Sequence, residues 1–365
     1  MGFQCGIVGL PNVGKSTIFN ALTAAAIEAE NYPFCTIEPN VGVVPVPDKR
    51  LDILADLAKT RSKVPTQMEF VDIAGLVQGA CQGEGLGNQF LGHIRQVDAL
   101  LHVVRCFEDD NIVHVDGSID PIRDLEVITM ELVMADLDTV SKRQKKSASQ
   151  AKSGDKKYIA EAAFLEQLQD LLDQGKPARM MTTATEQQQE LLRDLCLLTT
   201  KPVLYVANVS DEDIADGNDF VARLKETAAQ EGASVVTIAG AIEQEISLLD
   251  AEEQQEFLAD MGMKEPGLHR LIHAGYDLLG LITYFTVGER ETRAWTITKG
   301  TTGPGAAGKI HTDFERGYIR AEVIAYEDYV ACGSEPAARD KGLMRSEGKE
   351  YVVRDGDCIL FRFNV

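Results

Sequence analysis

No stretch of the 365-residue sequence reaches the run of about 18 apolar residues that a membrane-crossing helix needs. No basic region precedes an apolar segment at the start, where Met1-Gly2-Phe3-Gln4 leads directly into a strand-like run. A cytoplasmic location with no membrane partner is therefore expected. The seven cysteines (5, 35, 81, 106, 196, 332 and 358) include no C-x-x-C pair. Their number is odd and most stand in apolar runs, so reduced, buried thiols are expected and not a disulfide frame or zinc site. Positive charge is also scarce, with 36 Lys and Arg against 57 Asp and Glu and a net charge of −21. That argues against broad, sequence-independent nucleic-acid binding, which rests on neutralising phosphates, while leaving room for a local basic patch. There is no internal repeat and no long disordered tail. With 44% hydrophobic and 25% charged residues, the chain reads as a globular protein of two or three domains.

What is present begins with Gly9-Leu10-Pro11-Asn12-Val13-Gly14-Lys15-Ser16-Thr17, a full match to G-x-x-x-x-G-K-[ST]. Residues 3–8 before it read as a buried strand and residues 17–23 after it as the first turns of a helix. Such a loop wraps backbone N–H groups of Val13, Gly14, Lys15, Ser16 and Thr17 around a phosphate at a helix N-terminus, where the dipole favours negative charge. Lys15 would reach the β- and γ-phosphate oxygens, and the Ser16 hydroxyl would ligate Mg2+.

Apolar runs at 40–46, 67–73, 99–105, 202–208 and 233–238 read as further strands of a mostly parallel sheet buried on both faces. Between 123 and 200 the period changes. Leu125, Ile128, Leu132 and Ala135 form one helical stripe; Tyr158, Leu165, Leu168 and Leu172 form another, which Gly175 can terminate. An inserted antiparallel helical hairpin is expected, with a third helix near 185–198 leading back to the sheet. Its polar tip carries Lys142, Arg143, Lys145, Lys146, Lys152, Lys156 and Lys157, either a solvated surface or a contact for RNA phosphates. From about 281 short strands follow at 283–287, 293–297, 319–324, 351–353 and 358–363, with a loop at 300–305. They predict a small strand-rich C-terminal domain.

Phosphoryl transfer with Mg2+ needs an acid beside the metal and a sensor of the γ-phosphate. Asp72-Ile73-Ala74-Gly75 supplies D-x-x-G at a strand end, with Asp72 beside the metal and the Gly75 N–H facing the γ-phosphate. Thr36, between the phosphate loop and Asp72, is placed to complete the Mg2+ shell. The glycine-rich residues 78–87 are expected to be ordered by the γ-phosphate, which makes a switch. The residue after Gly75 is Leu76, where Ras-like enzymes carry a water-orienting glutamine. Leucine cannot orient water, so hydrolysis is slow or another group acts. His114 follows a strand and could handle a proton near neutral pH, although its position alone suits a surface histidine. Asn12 is either a loop-conformation residue or a ligand for a monovalent cation beside the phosphates. Cys35 lies in the same presumed switch and reads as an inert small residue before a redox one. After the strand ending near 207 comes Asn208-Val209-Ser210-Asp211. Guanine readers use N-K-x-D; here Val209 replaces the lysine while Asp211 remains, which weakens guanine without excluding it.

Together these residues resemble the YchF/Obg-like ATPase family. Gly9 to Ser16, Asn31-Tyr32-Pro33-Phe34-Cys35-Thr36-Ile37-Glu38-Pro39-Asn40 and Phe70 to Leu76 carry the likeness. At the far end, His311-Thr312-Asp313-Phe314-Glu315 and residues 320–324 resemble that family's TGS domain. The resemblance implies an α/β P-loop NTPase domain (1–122 and 203–280), an inserted helical coiled coil (123–202) and a C-terminal β-grasp TGS domain (281–365). It implies slow ATP hydrolysis with Mg2+, K+ as an activating cation at Asn12, and His114 with Lys15 and Gly75 as the catalytic set. It also implies association with the ribosome, through the large subunit or the 70S particle, and a role in translation or stress response. One departure stands out: the family's base element is N-x-x-E, whereas the fourth residue here is Asp211, followed by Glu212. A translational GTPase therefore stays open, as does a ribosome or RNA adaptor with a structural nucleotide.

Overall fold

The computed structural model describes residues 3–28, 40–73, 86–109, 111–114 and 117–364. Along them run the strands β1 (Gln4–Val8), β2 (Val41–Pro45), β3 (Lys63–Val64), β4 (Gln67–Asp72), β5 (Ala99–Arg105), β6 (Val203–Asn208), β7 (Ser234–Ile238), β8 (Leu281–Thr286), β9 (Thr292–Thr298), β10 (Tyr318–Ile324), β11 (Arg345–Glu347) and β12 (Cys358–Phe363). Helices α1 (Lys15–Glu28), α2 (Lys49–Ala58), α3 (Leu86–Gln96), α4 (Pro121–Ala151), α5 (Lys156–Asp173), α6 (Glu186–Leu195), α7 (Asp219–Glu231) and α8 (Gly240–Ile246) lie among the first eight strands. The chain divides into two compact units, Met1–Val43 with Glu69–Ala274 and Val44–Met68 with Gly275–Val365.

In the first unit the sheet order is β2-β4-β1-β5-β6-β7. β1 pairs in parallel with β4 and β5, β5 with β6, and β6 with β7. Every residue of β5 and β6 is buried, as an apolar run with helices on both faces requires. The active end of such a sheet is the carboxyl end of its strands, and the loops after β1, β4, β5 and β6 all leave from there.

The expected hairpin is present as α4 and α5. Asp120 caps α4 by accepting from the Ile122 N–H, and Pro121 stands in the first turn, where its missing N–H costs nothing. Asp155 caps α5 in the same way through Lys157 N–H. Gly175 follows α5 at φ 74°, and its N–H donates to Leu172 O at 2.8 Å. Val140, Phe164, Leu165 and Leu168 fill the seam between the helices. Asp136 is a buried exception on the apolar stripe. It accepts from Leu198 N–H, Thr199 N–H and the Thr199 hydroxyl at 2.6–2.8 Å, fastening the returning chain to α4. The third helix is shorter than expected, because the capping box of Thr185 and Gln188 opens it and Cys196 ends it in the left-handed region.

The second unit has the sheet order β11-β10-β12-β8-β9-β3. β8 and β9 form an antiparallel hairpin, β10 pairs antiparallel with β12, and β12 joins β8 in parallel. A helix at Gly303–Ile310 packs Ala306 and Ala307 against Tyr284 and Phe361, and the Tyr284 hydroxyl donates to Ala306 O at 2.9 Å. That helix corrects the loop expected at 300–305: Pro304 in its first turn has the φ a helix start needs. The strand expected at 351–353 reduces to one bridge between Val352 and Thr302. Asp357 draws the chain into a turn there, accepting the Arg354 N–H at 2.9 Å and the Tyr351 hydroxyl at 2.6 Å. Residues 44–68, read from sequence with the nucleotide-binding domain, join the C-terminal unit. β3 pairs with β9, and Leu51 and Leu54 of α2 pack with Phe285 and Ala294. Cys5, Cys106 and Cys358 are buried free thiols as expected, whereas Cys196 is exposed. Among the described residues no helix is long and apolar enough to cross a membrane.

Candidate nucleotide-binding site

The loop between β1 and α1 has a shape only its glycines permit. Gly9 has φ 154°, and a Cβ there would come within 2.5 Å of Val103 O on β5. Gly14 has φ 97°, and a Cβ there would come within 2.2 Å of the Asn208 Nδ2. Both values lie where a side chain is strained. Val13 is buried, Thr17 is half-buried in the first turn of α1, and Ser16 is exposed. The N-terminus of α1 thus opens with Lys15, Ser16 and Thr17 in sequence, the arrangement that receives an anion. Lys15 is mostly buried and its Nζ donates to Leu10 O at 2.7 Å. Burial lowers its pKa, and the nearby Asp72 charge opposes that shift.

Asp72 ends β4 directly beside this helix start. Ser16 Oγ donates to Asp72 Oδ2 at 3.4 Å. The other oxygen, Oδ1, is buried without a hydrogen-bond partner among the described residues. A hydroxyl beside a carboxylate whose other oxygen is unsatisfied among the described residues fits a small hard cation that also takes phosphate oxygens. The residues present therefore suit Mg2+. Thr36 and Gly75 lie outside the described residues, as do Cys35, Leu76 and residues 78–85 of the glycine-rich stretch.

His114 is not the surface histidine its position allowed. Its side chain is 6% exposed, and Nε2 lies 2.8 Å from Oδ2 of the equally buried Asp124, in the first turn of α4. The loop carrying it touches the phosphate loop: Asn12 Nδ2 donates to Val113 O at 3.2 Å. Asn12 adopts the left-handed conformation at φ 62°, which asparagine tolerates, so its backbone role and its side-chain role coexist. Arg123 Nη2 also reaches Asp124 Oδ1 at 3.2 Å. Sequence reasoning missed Asp124; the signal was an Asp120-Pro121 helix start that places an acid in the first turn.

At the end of β6, where the sequence suggests a base reader, the Asn208 amide is committed to protein. Its Nδ2 donates to Val13 O at 2.9 Å and its Oδ1 accepts the Gly240 N–H at 3.0 Å. Asn208 therefore braces the phosphate loop against the start of α8. Val209 is 4% exposed and its N–H donates to Ile238 O at 2.9 Å. Three acids follow in one short turn, Asp211–Asp213. Asp213 is held by Ser210 Oγ at 2.9 Å and Asn218 Nδ2 at 2.8 Å, while Asp211 and Glu212 are exposed. Of the predicted residues, the structure joins Asn12 to the His114 loop, Ser16 to Asp72, and Val13 to Asn208. It records no such bond from Asp211 to that set among the described residues.

Comparisons agree with this geometry along the whole chain. A family described as 50S ribosome-binding GTPase matches residues 4–140, and the YchF-GTPase C-terminal family, described as a protein of unknown function (DUF933), matches residues 281–364. The ribosome-binding ATPase YchF of Bacillus subtilis is 56% identical, and that of Escherichia coli O157:H7 is 55% identical, each over 100% of both chains. The solved structure of the Schizosaccharomyces pombe YchF GTPase superposes with a TM-score of 0.88 at 38% identity, covering 99% of this chain and 98% of that one. Identity of 55–56% over the whole chain, with this superposition, means that the chain belongs to the YchF family of P-loop NTPases.

Proposed function

We propose that this protein is a Mg2+-dependent ATPase that associates with the ribosome and modulates translation or the stress response. The Ser16–Asp72 pair at the N-terminus of α1, with its unsatisfied Oδ1, carries the catalytic half of the reading. Its similarity to ribosome-binding ATPases supports the ribosomal half.

In this reading the N–H groups of residues 13–17 hold the phosphates, and Lys15 transfers its hydrogen bond from Leu10 O to the β- and γ-phosphate oxygens. Ser16, Asp72 and Thr36 would hold Mg2+, which would supply positive charge to offset that of the phosphates. Gly75 meets the γ-phosphate with its N–H. Leucine at 76 has no group to orient the attacking water, so that task falls to His114, whose Nε2 is fixed by Asp124. Asn12, with Nδ2 on Val113 O, offers Oδ1 as a ligand for K+. Val209 lines the base site and Asn208 supports it from behind. The exposed lysines 145, 146, 152, 156 and 157 at the hairpin tip, together with the TGS domain, make the ribosomal contact, to the large subunit or the 70S particle and its RNA.

One observation favours a second reading. Asp211 is exposed at the position of a guanine reader, which suits a translational GTPase. Calorimetry with both nucleotides decides: the ATPase reading expects tighter binding of ATP, and equal or tighter GTP binding would sink it. Charge reversal at Lys145 and Lys146 is expected to abolish cosedimentation with ribosomes; full retention would remove the hairpin tip from the interface.

A further inference from the structure

Arg105 is the last residue of β5 and only 1% exposed, yet it pairs with no carboxylate among the described residues. A buried guanidinium is costly unless its donors are satisfied. Here they are satisfied by one loop. Nε donates to Phe107 O at 3.1 Å, Nη2 to Asp109 O at 3.1 Å and Nη1 to Ile112 O at 3.0 Å. The Phe107 ring lies against the group, its centroid 4.8 Å from Cζ. The loop closes further on itself, with Asp109 Oδ1 accepting from the Asn111 N–H and side-chain amide.

Three carbonyls held by one rigid planar fork define the path of a short segment. The next residue after the last clamped carbonyl is Val113, whose own carbonyl takes the Asn12 amide, and the one after that is His114. The root of the loop is fixed too, since Cys106 N–H donates to Asn208 O at 2.8 Å and Cys106 O accepts from Asn218 Nδ2 at 2.7 Å. The clamp therefore lies between the base-recognition strand and the histidine.

We infer that Arg105 is the positioning residue of the hydrolytic loop, setting His114 and the Asn12–Val113 contact through three backbone carbonyls. The inference rests on the reading of His114 as the water-orienting group. Positioning at this range is worth a large factor in rate, since misplacement by about 1 Å costs about a hundredfold. Lysine keeps the charge but presents a point donor in place of a fork, so Arg105→Lys is not conservative here.

The test is a double-mutant cycle read by single-turnover ATP hydrolysis with enzyme in excess, alongside calorimetric ATP affinity. Arg105→Lys is expected to slow the chemical step about tenfold or more while ATP affinity changes less than about twofold. In a His114→Ala background the same substitution is expected to slow it no further. An unchanged rate in Arg105→Lys, or an equal loss with and without His114, overturns the inference. Phe107→Ala removes only the half-buried ring beneath the guanidinium and repeats the cycle if Arg105→Lys does not fold. A smaller loss, again confined to the His114 background, supports the clamp, and no loss overturns it. If His114→Ala alone leaves the rate unchanged, the reading of His114 fails, a result separate from failure of the clamp.

Discussion

Asp72 holds its two oxygens in unlike surroundings, one receiving Ser16 and the other buried without a partner among the described residues. An amide at this position keeps the shape and removes the charge that a divalent cation would offset. Asp72→Asn is therefore expected to raise the Mg2+ concentration needed for half-maximal turnover by about ten- to a hundredfold. A Mg2+ titration that superposes on the parent's would take Asp72 out of the metal set. Gly14 shows how one residue answers two demands. Its φ of 97° is one that side chains rarely adopt, and the Asn208 amide occupies the space where a Cβ would sit. The loop between β1 and α1 was legible in the sequence, because a tight turn opening a helix demands glycines at a fixed spacing. Asp124 and Arg105 were not, because each depends on its partner. Asp124 reads as an ordinary first-turn acid until His114 is seen against it, and Arg105 as the polar end of a buried strand.

The helical hairpin shows which charges of a basic cluster are available. Arg143 Nε is bound to Glu161 Oε1 at 2.7 Å, and Ser147 Oγ reaches the same oxygen at 2.6 Å from a fully buried position. Lys142 pairs with Asp138 one turn back at 2.5 Å. The remaining five lysines are exposed. Burial raises the Glu161 pKa, but its bonds to Arg143 and Ser147 outweigh that effect and hold it below the ordinary value of 4.5. A carboxylate with a depressed folded pKa contributes stability above its unfolded pKa and loses it as the pH falls through the folded one. The hairpin should therefore weaken on acidification below about pH 4.5, and Glu161→Gln should remove that part of the dependence. Thermal melts by circular dichroism from pH 6 to about pH 3 check this; parallel melting curves for the two proteins would exclude Glu161 as the linkage. The hairpin itself was legible, because a 3.6-residue period and a terminal glycine leave few alternatives. The helix at Gly303–Ile310 was not, since glycine and proline at its start also describe a loop.

At the scale of the molecule, the surprise is the segment 44–68, which leaves the nucleotide unit in sequence and belongs to the C-terminal unit in space. Its strand β3 is two residues long and carries no periodicity that could announce it. Its commitment comes from α2, whose Leu51 and Leu54 complete a core with Phe285, Ala294, Ile324 and Tyr329. Arg50 adds ion pairs to Asp48 and Asp355, at 2.8 and 2.6 Å. Asp355 and the core residues from Phe285 on are distant in sequence, so a helix with one apolar face, read locally, attaches as readily to one unit as to the other. The chain's single tryptophan, Trp295, lies on β9 and reports the second unit by fluorescence. Leu54 is fully buried, and truncating such a side chain costs about 2–5 kcal/mol through lost burial and the cavity left behind. Leu54→Ala is thus expected to shift the denaturant unfolding followed at Trp295 by that amount. A shift within the roughly 0.5 kcal/mol typical of surface substitutions would mean that α2 is not part of the second unit's core.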